Sequence, residues 1–155
     1  MISLVKPRRD TFKSPEPDAP RVLAFDLLTE VNRNGGYSNL LLPQALSASN
    51  FEVRDKGFVT ELLYGTLRMQ GRHDYILQRV SDRPLVEVDD GIVDICRMGV
   101  HQLFEMRVAT HAAVSATVEL TRKVIGESKA SFVFFVSTKS YPRPTMLATF
   151  ALIAA

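Results

Sequence analysis

The chain has 155 residues, 46% hydrophobic and 23% charged, a balance that excludes wholesale disorder and suits one folded domain with tails better than two full domains. Its net charge of +2, with an isoelectric point near 8.8, is too small for bulk electrostatics to mark a nucleic-acid binder, so the placement of the charge decides. Cys96 is the only cysteine, which excludes an intramolecular disulfide and a cysteine-built zinc site.

Four of the eight prolines (Pro7, Pro15, Pro17, Pro20) fall in residues 1–20, mixed with Lys6, Arg8, Arg9 and Lys13. This segment reads as an extended basic leader, without the pattern of a secretory signal. From Arg21 onward Ala24, Leu27, Leu28 and Val31 recur at helical spacing, and Asn34-Gly35-Gly36 ends the first helix. Pro43 suits the first position of a short helix carrying Leu46, where its missing N–H has no partner to lose. Next comes an amphipathic run from Asp55, a candidate cap, through Phe58, Val59, Leu62, Leu63, Tyr64 and Leu67, ending near Gly71. Gly65 interrupts it at a cost of about 1 kcal/mol relative to alanine, which predicts a close helix contact there.

Tyr75, Ile76, Leu77 and Val80 predict another short helix, with His73 placed in a loop ahead of it, and Arg83-Pro84 marks a junction between two subdomains. Ile92, Ile95, Cys96, Gly99, Val100 and Leu103 then form a long apolar stripe in which Gly99 admits a close neighbour. Thr110 is a candidate cap for a helix through Val114, Thr117, Val118, Thr121 and Ile125, closed by Arg122-Lys123 and Gly126. Nothing alternates as a strand, and no apolar run approaches the roughly 20 residues of a membrane span. The expected fold is all-α with about six or seven helices, and the expected setting is the cytoplasm, with no membrane association.

Several blocks resemble one family. Asp55 to Arg68, with Phe58, Glu61, Leu62 and Tyr64-Gly65-Thr66-Leu67-Arg68, is similar to a motif in the NusB-like N-terminal domain of RsmB-type (Sun family) ribosomal RNA cytosine-5 methyltransferases, with Lys56 where that family usually has arginine. Gly35 to Leu40 resembles the family's glycine turn, Arg97 to Leu103 its Arg-Leu-Gly-x-Tyr-Gln-Leu pattern with His101 in the tyrosine place, and His111 to Leu120 its His-Ala-Ala-Val-Asn block with Ser115 for asparagine. The resemblance covers about residues 21–133 and leaves 134–155 as an unmatched tail. It implies a NusB-like bundle and a chain truncated or frame-changed after about residue 133.

The chemistry-bearing residues read modestly beside this. His73, His101 and His111 lack paired ligand spacing, so no metal is expected; His101 and His111 are read as packing or hydrogen-bonding within helix contacts. Cys96 lies on an apolar stripe, where a thiol behaves as a small hydrophobe. Glu61, Arg68, Arg97 and Glu119 are read as ion-pair partners. No strand with a glycine-rich turn offers a cofactor site, and S-adenosylmethionine has none, so no cofactor and no catalytic residue are expected. The resemblance implies an RNA-facing basic surface, for which Arg8, Arg9, Lys13, Arg21, Arg68 and Arg72 are the candidates. The functional expectation is a non-catalytic module that binds RNA, ribosomal by resemblance. Two alternatives stand beside it: a ribosomal RNA methyltransferase lacking its catalytic domain, and an antitermination factor that binds RNA together with a ribosomal protein.

Overall fold

A computed structural model describes residues 18–139, and within them the chain forms seven α-helices and no strand. The first, α1 (Ala19–Asn34), is capped by Asp18, whose carboxylate accepts from the Arg21 N–H at 2.9 Å, and Pro20 sits in its first turn, where no N–H is needed. Gly35 ends it at φ 70°, a left-handed conformation that favours glycine, and the Gly36 N–H closes on the Glu30 carbonyl at 3.1 Å.

Helix α2 (Ser38–Ala48) begins five residues before Pro43, so that proline is internal to the helix and not its first residue. Pro43 has no N–H for the Asn39 carbonyl, and both residues are exposed, so water can take the place of the missing bond. Helix α3 (Val53–Arg68) starts from Glu52, which makes Asp55 a first-turn acid, favourable to the helix dipole, and not the cap. It ends at Arg68 and not near Gly71, because the chain turns at Met69 straight into α4 (Gln70–Val80).

After α4 the turn is held by side chains: Ser81 Oγ donates to the Arg83 carbonyl at 2.8 Å and Gln78 Oε1 accepts from the Leu85 N–H at 3.0 Å. A short 3-10 turn (Leu85–Glu87) leads to α5 (Asp90–Phe104), capped by Asp89 on the Gly91 N–H at 2.9 Å. Pro84 thus separates α1–α4 from the last three helices, and α5 binds the two halves together by touching α1, α3, α4, α6 and α7. Such a central helix must be apolar nearly all round, and Ile92, Val93, Ile95, Cys96, Met98, Val100 and Leu103 are all buried.

Ala109, not Thr110, occupies the cap position of α6 (Thr110–Val124). The buried Thr117 and Thr121 hydroxyls donate back to the Ala113 and Thr117 carbonyls at 2.7 and 2.8 Å, so neither is stranded in the core. Helix α7 (Glu127–Lys139) runs past residue 133, with Val136 buried in the same core as Val133, Leu28, Leu62, Leu63, Leu77 and Ile95. The leader's Arg8, Arg9 and Lys13, and residues 140–155 of the tail, lie outside the described residues.

The glycine in α3 has the reason expected of it. A Cβ on Gly65 would lie 2.1 Å from Nε2 and 2.3 Å from Cε1 of the buried His101 ring, so α3 and α5 can meet here only without a side chain. Gly57, in the same helix, has nothing within 4 Å. Gly65→Ala is therefore expected to lose about 1–2 kcal/mol after the helix-propensity gain is counted, while Gly57→Ala gains up to about 1 kcal/mol. Urea midpoints of the two variants should move in opposite directions; a gain at Gly65 would mean that the His101 ring yields freely.

Candidate nucleic-acid interface

Arg68 is the last residue of α3 and Arg72 lies in the first turn of α4, so the tight turn at Met69 brings the two guanidinium groups to one corner. Arg68 is 67% exposed and its nearest acid, Glu61 Oε1, stands at a loose 3.9 Å. Arg72 is 51% exposed and pairs with Glu105 just past α5. A cation in a helix's first turn opposes the helix dipole, and the Glu105 pair offsets that.

Beneath this corner lie two buried histidines. His73, expected in a loop, is inside α4 and 1% exposed, because it falls on the helix face that also carries Leu77. Its ring meets the His101 ring edge-on at 5.3 Å, and neither His73 nitrogen finds a hydrogen bond among the described residues. His101 Nε2 stands 3.3 Å from Glu61 Oε1. Burial and the neighbouring His101 bring the His73 pKa down to about 4, and burial lowers His101 as well, against the pull of Glu61. Both rings are therefore neutral near pH 7. His111 does not pack as expected: it is exposed on the first turn of α6.

Arg21 is not at the corner. Its Nε donates to Gln102 Oε1 at 2.7 Å, its NH1 pairs with Asp18, and its guanidinium lies 4.7 Å from the centre of the Phe58 ring, about 15 Å along α3 from Arg68. With its side chain only 13% exposed, it joins α1 to α3 and α5.

Arg97 and Glu119, also read as ion-pair partners, do form ion pairs. Arg97 grips Asp74 with Nε at 2.6 Å and NH2 at 2.8 Å, and reaches Asp94 with NH1 at 2.9 Å. Asn32 of α1 donates to the same Asp94 oxygen at 2.8 Å, and Gln70, with its amide oxygen turned inward, accepts from Arg97 NH1 at 2.9 Å. This half-buried network ties α1, α4 and α5 together. Glu119 pairs with Arg122. Burial pushes the Cys96 thiol up to about 12, so it stays protonated and unreactive. Among the described residues no group of three or more histidine, cysteine or acidic side chains converges as metal ligands, and no helix is long and apolar enough to cross a membrane.

A family profile described as the NusB family matches residues 18–133, which is the helical body from the α1 cap to the middle of α7. The chain belongs to the NusB family. A Mycobacterium tuberculosis protein (strain H37Rv), provisionally named a methyltransferase, is 38% identical to this NusB-family chain over 116 residues, 75% of the chain and 25% of that relative. The ribosomal RNA small subunit methyltransferase B of Thermus thermophilus is 36% identical over 67% of the chain and 25% of its own length. The protein of that name from Pseudomonas syringae is 30% identical over 68% of the chain and 23% of its own length. The chain thus corresponds to about a quarter of these longer relatives. A chain in a crystal structure of a plectonemic RNA supercoil shares the fold, with a TM-score of 0.69 at 18% identity over 80% of this chain and 95% of that one.

The sequence singles out Arg68 and Arg72 as candidates at the end of one helix, whereas in this NusB-family bundle Arg72 belongs to the next helix, α4. Asp74 and Glu105 emerge only as partners across helices, whereas Asp94, inside an otherwise apolar stripe of α5 and three residues before Arg97, was a readable signal.

Proposed function

We propose that this NusB-family domain is an RNA-binding module whose contact surface centres on the Arg68–Arg72 corner. The observation that carries the reading is the pair of exposed guanidinium groups on two consecutive helices, suited to adjacent phosphates. Arg8, Arg9 and Lys13, which precede α1 in the sequence, are assigned further phosphate contacts, and Arg21 is assigned the anchoring of α1. The names of the longer relatives favour ribosomal RNA as the target. In such a protein this domain holds RNA and leaves methyl transfer to another part, so the 155-residue chain by itself is expected to transfer no methyl group from S-adenosylmethionine.

The test is fluorescence anisotropy with a labelled ribosomal RNA fragment across a salt series. Binding should weaken with salt, and Arg68→Ala/Arg72→Ala should reduce the slope of log K against log salt by about 0.7 for each phosphate that is no longer neutralised. Arg8→Ala/Arg9→Ala should weaken binding in the same way. Salt-independent binding, or none, removes the reading.

A further inference from the structure

The exposed face of α4 carries a second feature beside the corner. Arg72, Tyr75 and Arg79 are spaced three and four residues apart, which puts them on one stripe about 60° wide, turned away from the buried His73 and Leu77. Tyr75 is 63% exposed, one of five large hydrophobic residues left open among those described. Arg79 NH1 donates to the Tyr75 hydroxyl at 3.0 Å and its guanidinium lies 5.5 Å from the ring centre, so the ring is braced across the helix surface. The only acid within α4, Asp74, is held by Arg97, while Arg72 pairs with Glu105 from just past α5 at the edge of the stripe.

A single exposed aromatic is ordinary on a protein surface. Tyr75 differs in standing between two arginines of the same stripe, with Arg68 immediately ahead of the helix. An oriented, open ring bordered by cations is the arrangement that stacks a nucleobase while its flanking phosphates are neutralised. Bases of an A-form duplex have both faces covered by their neighbours, so only an unpaired base can use such a ring.

We propose that Tyr75 is a base-stacking platform on which one unpaired base of the bound RNA lies. The proposal rests on the RNA-binding reading and adds to it a residue that contacts a base. Arg72 and Arg79 hold the backbone on either side of the stacked base, and Arg79 also fixes the ring in place before RNA arrives.

The experiment compares wild type, Tyr75→Ala and Tyr75→Phe by anisotropy on a short labelled single-stranded oligoribonucleotide, on the same strand annealed as a duplex, and on a version carrying abasic sites. Because Tyr75 is exposed, all three proteins should show the same helical circular dichroism and melting. Tyr75→Ala should weaken single-strand binding about tenfold, Tyr75→Phe should keep it within about twofold, and duplex and abasic binding should be the same for all three. Single-strand binding by Tyr75→Ala as tight as wild type overturns the platform while leaving RNA binding intact, as does an equal loss on the duplex or the abasic strand. Failure of the wild type to bind any of the three RNAs overturns the RNA-binding reading and this proposal with it.

Discussion

Arg97→Ala is expected to cost about 3–5 kcal/mol of folding stability, because it removes one partner of a buried charge and leaves the other in place. Asp94 is 1% exposed, and its second oxygen has no partner among the described residues, so Arg97 and Asn32 carry its whole compensation. Burial already raises the Asp94 pKa against the pull of those two hydrogen bonds, and removing the guanidinium should raise it further. Arg97→Lys should recover only part of the loss, since a single ammonium cannot reproduce the two parallel bonds to Asp74. Adding Asp94→Leu to Arg97→Ala should restore part of the stability relative to the single variant, because no fully buried unpaired charge then remains and Asp74, 35% exposed, is left to water. Urea denaturation of the four proteins reads this directly. A loss below about 1 kcal/mol for Arg97→Ala would mean that the network lies in water-like surroundings.

Acid should unfold the protein through its buried histidines. His73 ionises near pH 6.5 in the unfolded chain but only at about 4 in the folded one, its charged form being opposed first by burial and then by His101. Above pH 6.5 both states are neutral there and stability is constant. As pH falls between these values the unfolded chain takes up a proton that the folded one refuses, so stability drops by about 1.4 kcal/mol per pH unit, about 3 kcal/mol over the whole window. His101, also lowered by burial, acts in the same direction. Asp94 and Asp26, raised by burial, act in the opposite sense within the carboxylate range. The His73 share is isolated by His73→Leu, which should flatten the stability profile between about pH 6.5 and pH 4. Urea midpoints measured across that range check it, and a wild-type profile as flat as the variant's would exclude a titrating buried His73.

This behaviour bears on the proposed RNA surface. Arg68 and Arg72 stand directly over the histidine pair, and the charge of each disfavours protonation of the ring nearest to it. The corner proposed to meet phosphate is thus built on a neutral, tightly packed base, consistent with rigid presentation of the two guanidinium groups.

Helices α1 to α6, most of their apolar faces and family membership were legible in the sequence alone, because helical periodicity and matched motifs are local properties; α7 was not, since its Phe132–Val136 run is apolar throughout and shows no helical period. Gly65 was readable for the same reason: a glycine in a strong helical pattern costs free energy unless a close contact compensates for it. Cap positions were less legible, since Asp55 and Thr110 satisfy the local rule but the chain starts each helix earlier. Only the tertiary structure decided that His73 is buried, that Arg97 is paired with an acid 23 residues away, and that Arg21 reaches Gln102 81 residues on. It also decided that Arg68, Arg72 and Tyr75 remain open. A basic side chain has the same local signature whether it meets a carboxylate from another helix or faces water. Which of the two occurs depends on how the helices pack, and that is settled by the shared core around α5.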